Sequence, residues 1–549
     1  MSKPKSDLPT IIFHWALVLT LIISFVTGMQ IAADTPSSRW AQSIRWILPQ
    51  GNVIVWHLLS AIAFVVLLFT YVIFIWRAGL IGRIALNKRW WNMLSAAPNR
   101  RALWRSINTL IYWIGFIALL ISFATGLLLD IFPALLPYSL MSLIHQYAAW
   151  ILPVYLILHV IALIVMGGVG YLLKLFRPRF AFGLAALVSI IAGVVAAVLF
   201  ISMEATVTTQ NLRVTHAQNS PILDGLSKDP VWQLAQKVSV MTNRGANLPD
   251  GEVSVSIRAV HQNGFIYFLI QWPDSTRSQK HLPLIKTENG WKVQQNEYGI
   301  QDEDDYYEDK FGIMLSRHGR IAGNHSIHMG ESPLKGKPGP SGGRGLHYTT
   351  DGSIVDVWHW KSVRTGNSVM NQIDDNYFGA PMKPKEGKRY TGGYNKDPKE
   401  DGGYEMNWKS YSDSVVIPKY LPSDPAILDQ FQSIDLTPTV GDDIALFLNK
   451  TDVIAYDQSH DTLENFPVGT IMPAVVVKKP MTGDRGDVTS VSKWKNGLWT
   501  MEIQRKLDTG SDYDVSFDFK KATYLWVSAF DHTQTRHSRH LYPVKVTLQ

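Results

Sequence analysis

The chain has 549 residues, with 52 Lys and Arg against 45 Asp and Glu, a formal charge of +7, and that length accommodates two to four domains. Residues 1–203 hold 14 basic and 3 acidic residues and residues 204–549 hold 38 and 42, so the basic excess lies between apolar runs, which argues against nucleic acid as a partner. The chain has no cysteine, which excludes disulfides, iron–sulfur clusters, thiolate zinc sites and thioether-linked haem.

Five apolar runs, at about 11–33, 52–76, 106–129, 143–167 and 182–203, are each long enough to cross a bilayer as a helix. No cleavable signal precedes the first, which is expected to act as a retained anchor. Basic residues alternate between the loops. Lys3 and Lys5 precede span 1; Arg77, Arg83, Lys88, Arg89, Arg100, Arg101 and Arg105 follow span 2; Lys174, Arg177 and Arg179 follow span 4. The other loops hold only Arg39 and Arg45. The positive-inside rule puts the N-terminus in the cytoplasm and everything after Met203 outside, in the periplasm if the membrane is a bacterial inner membrane. Trp90 and Trp91 are a candidate interface anchor.

Beyond residue 204 the pattern changes. Alternating runs at Val253–Ile257, Phe265–Ile270, Ile354–Trp360, Val415–Ile417, Trp499–Ile503 and Tyr524–Phe530 predict strands. The fold class expected is therefore an α-helical transmembrane bundle, with four helices around a cofactor core, plus an all-β, sandwich-like domain outside. The boundaries expected are 1–181 for the bundle, 182–210 for the fifth helix and linker, and 211–549 for the β domain. Gly-, Pro- and Lys-rich stretches at 331–350 and 379–404 are expected as loops. No internal repeat is expected, and no nucleotide-binding glycine motif or Ser/His/Asp set has supporting context.

Four histidines, His14, His57, His145 and His159, fall inside the apolar spans. An ionisable side chain in hydrocarbon is costly, and its default reading is functional. His145 and His159 are 14 residues apart, close to four helical turns and about 21 Å. They point to nearly one side at opposite depths. His159 reaches the level of His14 and His145 that of His57, which predicts two His–Fe–His sites stacked across the membrane. Pro153, between them, is expected to bend the helix.

His14-Trp15 followed by Thr27-Gly28, one histidine in span 2 and two in span 4, 14 apart, resemble the b561-type di-haem cytochrome b subunits of bacterial hydrogenases and formate dehydrogenases. The resemblance covers residues 10–170. It implies two b haems and exchange of electrons with the quinone pool. Span 5 has no histidine and is expected to tether the exported domain.

In the second half, Ile222 to Trp232, expected as a strand, precedes Asp356-Val-Trp-His-Trp-Lys361, Gly483-Asp-Arg-Gly-Asp-Val488, Leu507-Asp-Thr-Gly510 and the run from Tyr524 through Arg536-His-Ser-Arg-His540. Together they resemble the ethylbenzene dehydrogenase-type haem-binding domain. That resemblance implies one further b haem at the end of a β-sandwich. It gives one axial-ligand role to Met329, in His328-Met329-Gly330, with His328 as rival. The second ligand, often Lys in that family, falls to His540 and then His537, since no Lys stands between Phe530-Asp531 and Lys545. His216, His261, His281, His318 and His347 are expected as core or rim residues. Asp302-Glu-Asp-Asp305 is expected as a solvated acidic turn, since its spacing is not that of an EF-hand loop.

The function expected is electron transfer between quinone and a periplasmic redox partner. One alternative is a terminal reductase of a small oxidant or metal, ferric-reductase-like and without a protein partner. The other is a haem-based binding or sensory module.

Overall fold

The structure, a computed structural model, describes residues 6–33, 43–96, 99–180, 183–296, 303–319, 325–330, 332–339, 345–437 and 444–549. Lys3, Lys5, Arg39 and Asp302 lie outside the described residues. Two compact units are present, Met1–Thr208 and Thr209–Gln549.

The first unit holds five helices long and apolar enough to cross a membrane: α1 (Leu8–Ala33), α2 (Val53–Arg77), α4 (Arg100–Asp130), α5 (Tyr138–Gly167) and α6 (Leu184–Thr208). The short helix α3 (Lys88–Ser95) precedes α4. Asn87 and Asn99 cap α3 and α4 by accepting the amides of Trp90 and Ala102 at 3.0 and 2.9 Å. Within the apolar runs Thr20, Thr27, Thr70, Thr125 and Ser189 donate to carbonyls one turn back, which satisfies their hydroxyls without a partner helix. The α5 helix runs continuously through Pro153 and ends at Gly168, whose φ of +66° needs glycine.

Two helical hairpins form, α1 with α2 and α4 with α5. Ser24 and Ser60 hydroxyls join the first at 2.7 Å. Side chains join the two hairpins, Phe25 lying edge-on to Trp150 with ring centres 5.4 Å apart. Ser6–Asp7 pairs in parallel with Pro178–Arg179, so the chain before α1 and the chain after α5 lie at one end of the bundle, as four crossings require. The fifth helix is packed as well as tethering. Ala186 clusters with Phe13 and Phe74, and a Cβ added at Gly193 would fall 2.1 Å from the Thr70 hydroxyl.

The second unit is all-β around a curled sheet. The strands of that sheet and of one hairpin beside it are β1 (Gln210–His216), β2 (Val238–Thr242), β3 (Val253–Gln262), β4 (Phe265–Pro273), β5 (Lys310–Ser316), β6 (Ser326–Met329), β7 (Leu346–Thr349), β8 (Val355–Lys361), β9 (Asp374–Phe378), β10 (Tyr394–Lys396), β11 (Thr489–Lys495), β12 (Leu498–Lys506), β13 (Thr523–Phe530) and β14 (Val544–Leu548). The order is β10-β9-β8-β5-β13-β14-β1-β3-β4-β12-β11, with β2 also on β3 and with β6-β7 as a separate hairpin. Strand β1 pairs in parallel with both β14 and β3 and so carries one layer over into the other. The layers meet through aromatic rings. Trp272 of β4 stacks on Phe311 of β5 at 4.4 Å, and Trp360 of β8 meets Trp499 of β12 edge-on at 5.1 Å.

Three expectations are corrected. Ile222–Trp232 is no strand; Pro230–Leu234 forms a short helix whose Trp232 is buried and bonded to Glu502 at 2.9 Å. The 379–404 stretch contributes β10 and part of Asp401–Met406, which pairs with Val475–Thr482. The 331–350 stretch contributes β7. Part of the chain also builds a lobe with its own core around Trp291, Leu428, Phe431 and Met472.

Candidate functional site

His57 projects from α2 and His145 from α5, and their ring centres lie 6.3 Å apart with planes at 78°. A metal held about 2.0–2.1 Å from each of two opposed imidazole nitrogens sets ring centres about 6 Å apart, so the gap fits a bis-imidazole iron. The Nδ1 of His57 lies 2.9 Å from the Ser24 carbonyl and 3.2 Å from the Thr27 hydroxyl. The Nδ1 of His145 lies 2.9 Å from the Ser122 carbonyl and 3.0 Å from the Thr125 hydroxyl. A carbonyl only accepts, so each Nδ1 carries the proton and each Nε2 carries the lone pair, the tautomer an iron ligand requires.

Glycine provides the room. A Cβ at Gly28 would stand 3.1 Å from His57 Cε1, and one at Gly126 would stand 3.4 Å from His145 Cε1. These supports belong to a repeat, Ser24-Phe-Val-Thr-Gly28 on α1 and Ser122-Phe-Ala-Thr-Gly126 on α4. Each hairpin thus carries a Ser-Phe-x-Thr-Gly cradle on its first helix and a histidine on its second.

His159 lies toward the other end of α5. Its Nδ1 is 3.2 Å from Asn108 Oδ1 on α4, and its ring stacks near Tyr155 at 5.9 Å and tilts against Tyr112 at 5.0 Å. His14 on α1 is within electrostatic reach of it. The four histidines therefore group as His57 with His145 and His14 near His159. Asn108 and the Ser-x-x-Thr-Gly cradles are supporting residues that the sequence reading missed. In α3 the Trp90 indole donates to the Ser106 carbonyl at 2.9 Å, which fastens that helix onto α4.

In the β domain the candidates separate. His328 on β6 stands directly opposite His347 on β7, ring centres 4.7 Å apart. Strand alternation puts Met329, paired with the buried Leu346, on the other face of that hairpin. His347 tilts over Phe378 at 6.0 Å. His347 and His328 are both exposed; desolvation by the surrounding atoms, and then His328 and His537, push the pKa of His347 down. His537 packs on Phe530 at 4.8 Å and donates from Nδ1 to the Ser538 carbonyl at 2.9 Å, which leaves its lone pair on Nε2. On the far side of Phe530 lies His359, 5.5 Å away, with its buried Nε2 unpartnered.

His540, the first choice for the second ligand, is otherwise engaged. Its Nδ1 donates to the Tyr542 carbonyl at 2.8 Å and its Nε2 accepts from the Val527 amide at 2.9 Å. Burial pushes its pKa down to about 4, and the ring bolts the last loop onto β13. Neither nitrogen has a lone pair left for iron. His347, expected as a core or rim residue, stands exposed on β7 and pairs with His328 across a long loop. In the expected acidic turn, Glu303 is buried and accepts the amides of Asn296, Asp305 and Tyr306 at 2.8, 3.0 and 2.8 Å.

The family model of prokaryotic cytochrome b561 matches residues 5–178, and that of ethylbenzene dehydrogenase matches residues 229–541. No curated protein sequence matches the chain. Among solved structures, a family 9 carbohydrate-binding module from Caldicellulosiruptor kristjanssonii in complex with cellotriose is 7% identical, covering 62% of this chain and 94% of its own at a TM-score of 0.22. The same module in complex with glucose is 7% identical, covering 61% and 95% at 0.21. Likenesses of that order bear on neither fold nor ligand here. Haem b binding and membrane-associated electron transfer accompany the cytochrome b561 segment. The chain belongs to the ethylbenzene dehydrogenase family, with a b561-type cytochrome b fused ahead of that domain.

Proposed function

We propose that this protein carries electrons across a bacterial inner membrane, between the quinone pool and a redox partner in the periplasm. The observation that carries the reading is the approach of the His57 and His145 ring centres to 6.3 Å, each with Nδ1 tied to a serine carbonyl. His14 and His159 make the second pair, about 21 Å along α5 by helical rise. Haem iron at each pair supplies one-electron chemistry. The chain's own work is to fix the imidazole tautomers, to hold two levels across a low-dielectric layer and to exclude water. The basic loops 77–105 and 170–181 support a cytoplasmic start for α1 and a β domain outside.

In the β domain, the group of His328, His347 and His537 is the reading's third haem site, with His537 Nε2 as one ligand and His347 or His328 as the other. Met329 and His540 are the weaker pair, since Met329 faces away from His328 and both nitrogens of His540 are bonded. The test is reduction of the purified, membrane-reconstituted protein by a quinol analogue, followed in the haem α-band. Reduction that proceeds to all haems supports the reading, and quinol that leaves every haem oxidised while dithionite reduces them overturns it.

A further inference from the structure

One end of the β-sandwich gathers five carboxylates that electron transfer does not use. Asp356 is on β8, Asp375 on β9 and Asp397 just beyond β10; Asp487 follows the turn Asp484–Gly486, and Asp514 lies in the loop after β12. Asp356, Asp375 and Asp397 are buried. Asp356 and Asp375 lie on the inner face of β8 and β9, opposite the face that carries His359. One oxygen each of Asp356, Asp375 and Asp514 lies within 4.8 Å of the other two.

The hydrogen bonding has a common form. Asp356 Oδ2 takes the Arg505 guanidinium at 2.6 Å and the Val515 amide at 3.1 Å. Asp375 Oδ1 takes the Asn376 amide at 2.9 Å, and Asp514 Oδ2 takes the Thr509 hydroxyl at 2.5 Å. Each of the three thus spends one oxygen on a fixed donor. Among the described residues, the remaining oxygens, Asp356 Oδ1, Asp375 Oδ2 and Asp514 Oδ1, have no hydrogen-bond partner, and neither does Asp487 Oδ1. Buried carboxylates left in this way need a cation or a proton.

We propose that Asp356, Asp375 and Asp514, with Asp397 and Asp487 beside them, form a structural site for a calcium ion, which ties β8, β9 and the ends of three loops together. The donor set is all carboxylate oxygen, which selects hard cations and excludes those that favour nitrogen or sulfur. Calcium, with oxygens at about 2.3–2.6 Å and a coordination number of six to eight, spans a group of this width and takes more carboxylates than magnesium, which keeps its waters. Without the ion, burial and mutual repulsion push Asp397 up to about 9 and Asp487 to about 7, and burial, against the pull of Arg505, pushes Asp356 to about 7. The motifs Asp356-Val-Trp-His-Trp-Lys361 and Gly483-Asp-Arg-Gly-Asp-Val488 thereby gain a role that no haem gives them. The site is independent of the haem reading.

The experiment uses the full-length protein in detergent, dialysed against EGTA and then titrated with calcium chloride, with bound metal counted by mass spectrometry and unfolding followed by tryptophan fluorescence. One calcium per chain and a higher unfolding temperature with calcium than with EGTA are expected. Asp375→Asn and Asp397→Asn should each weaken calcium binding about tenfold or more, on the scale seen when a metal site loses a supporting group. Wild-type protein that binds no calcium at about millimolar free ion, the weak end of known protein sites, and unfolds at the same temperature with calcium and with EGTA would overturn the proposal. An equal shift with magnesium chloride would overturn the assignment to calcium.

Discussion

His57 and His145 meet across the two hairpins, and each donates its Nδ1 proton to a serine carbonyl three residues ahead of the Thr in a Ser-Phe-x-Thr-Gly cradle. The same local sequence thus prepares both sides of one site. His145→Ala removes one imidazole and leaves the pairing of His14 with His159 intact. Haem content by pyridine haemochrome should fall by one equivalent per chain. An unchanged content would remove His145 from the ligand set.

The cradle glycines set the imidazole positions sterically. A leucine at Gly28 or Gly126 puts its branch where the histidine ring stands, since the Cβ alone already comes to 3.1 or 3.4 Å from Cε1. Gly28→Leu and Gly126→Leu should each reproduce the loss seen in His145→Ala, with the helices still inserted. Far-UV circular dichroism alongside the haem count checks both halves of that statement.

Asn108 is expected to tune the other pair. A hydrogen bond from His159 Nδ1 to Asn108 Oδ1 makes the ring a stronger donor and favours ferric iron. Asn108→Leu should raise the midpoint potential of that centre, by about 59 mV for each tenfold loss of ferric preference. Potentiometric titration of the visible bands reads the shift, and a lower or equal potential would contradict the role.

In the β domain, structural and ligand histidines separate by mutation. His540→Ala loses two backbone hydrogen bonds and should cost about 1–3 kcal/mol of stability while keeping the haem proposed for the domain. His537→Ala should lose that haem at little cost in stability. The reverse pattern in urea unfolding and Soret absorbance would return His540 to the ligand set.

Acid should weaken the β domain by protonating histidines that the fold keeps neutral. Burial pushes His540 and His281 down to about 4, in His281 reinforced by Arg364. In the unfolded chain both take a proton near 6.5. The stability that comes from keeping them neutral is whole above about 6.5 and is lost as the pH falls toward 4, at up to about 1.4 kcal/mol per pH unit for each. Urea midpoints at pH 7.5 and pH 5 measure the loss, and His540→Gln should flatten it.

Much of this was open to sequence reasoning where the signal is local. Twenty apolar residues declare a span, and a histidine within one stands out at once, so the groups His57/His145 and His14/His159 came from spacing alone. Alternation declared β3, β4, β8 and β13. What depends on tertiary pairing stayed hidden. Nothing in the letters joins His328 to His347 across the intervening Gly- and Lys-rich loop, and nothing tells that Val527 and Tyr542 consume both nitrogens of His540. The Ser-Phe-x-Thr-Gly repeat stands in plain view, but five residues gain weight only when each is seen beneath a histidine.

Low-temperature electron paramagnetic resonance of the oxidised full-length protein tests the paired-imidazole arrangement most directly. Low-spin ferric signals from bis-imidazole centres are expected, one set vanishing in His57→Ala and a different set in His14→Ala. High-spin iron throughout, or a low-spin spectrum that neither substitution alters, would contradict it.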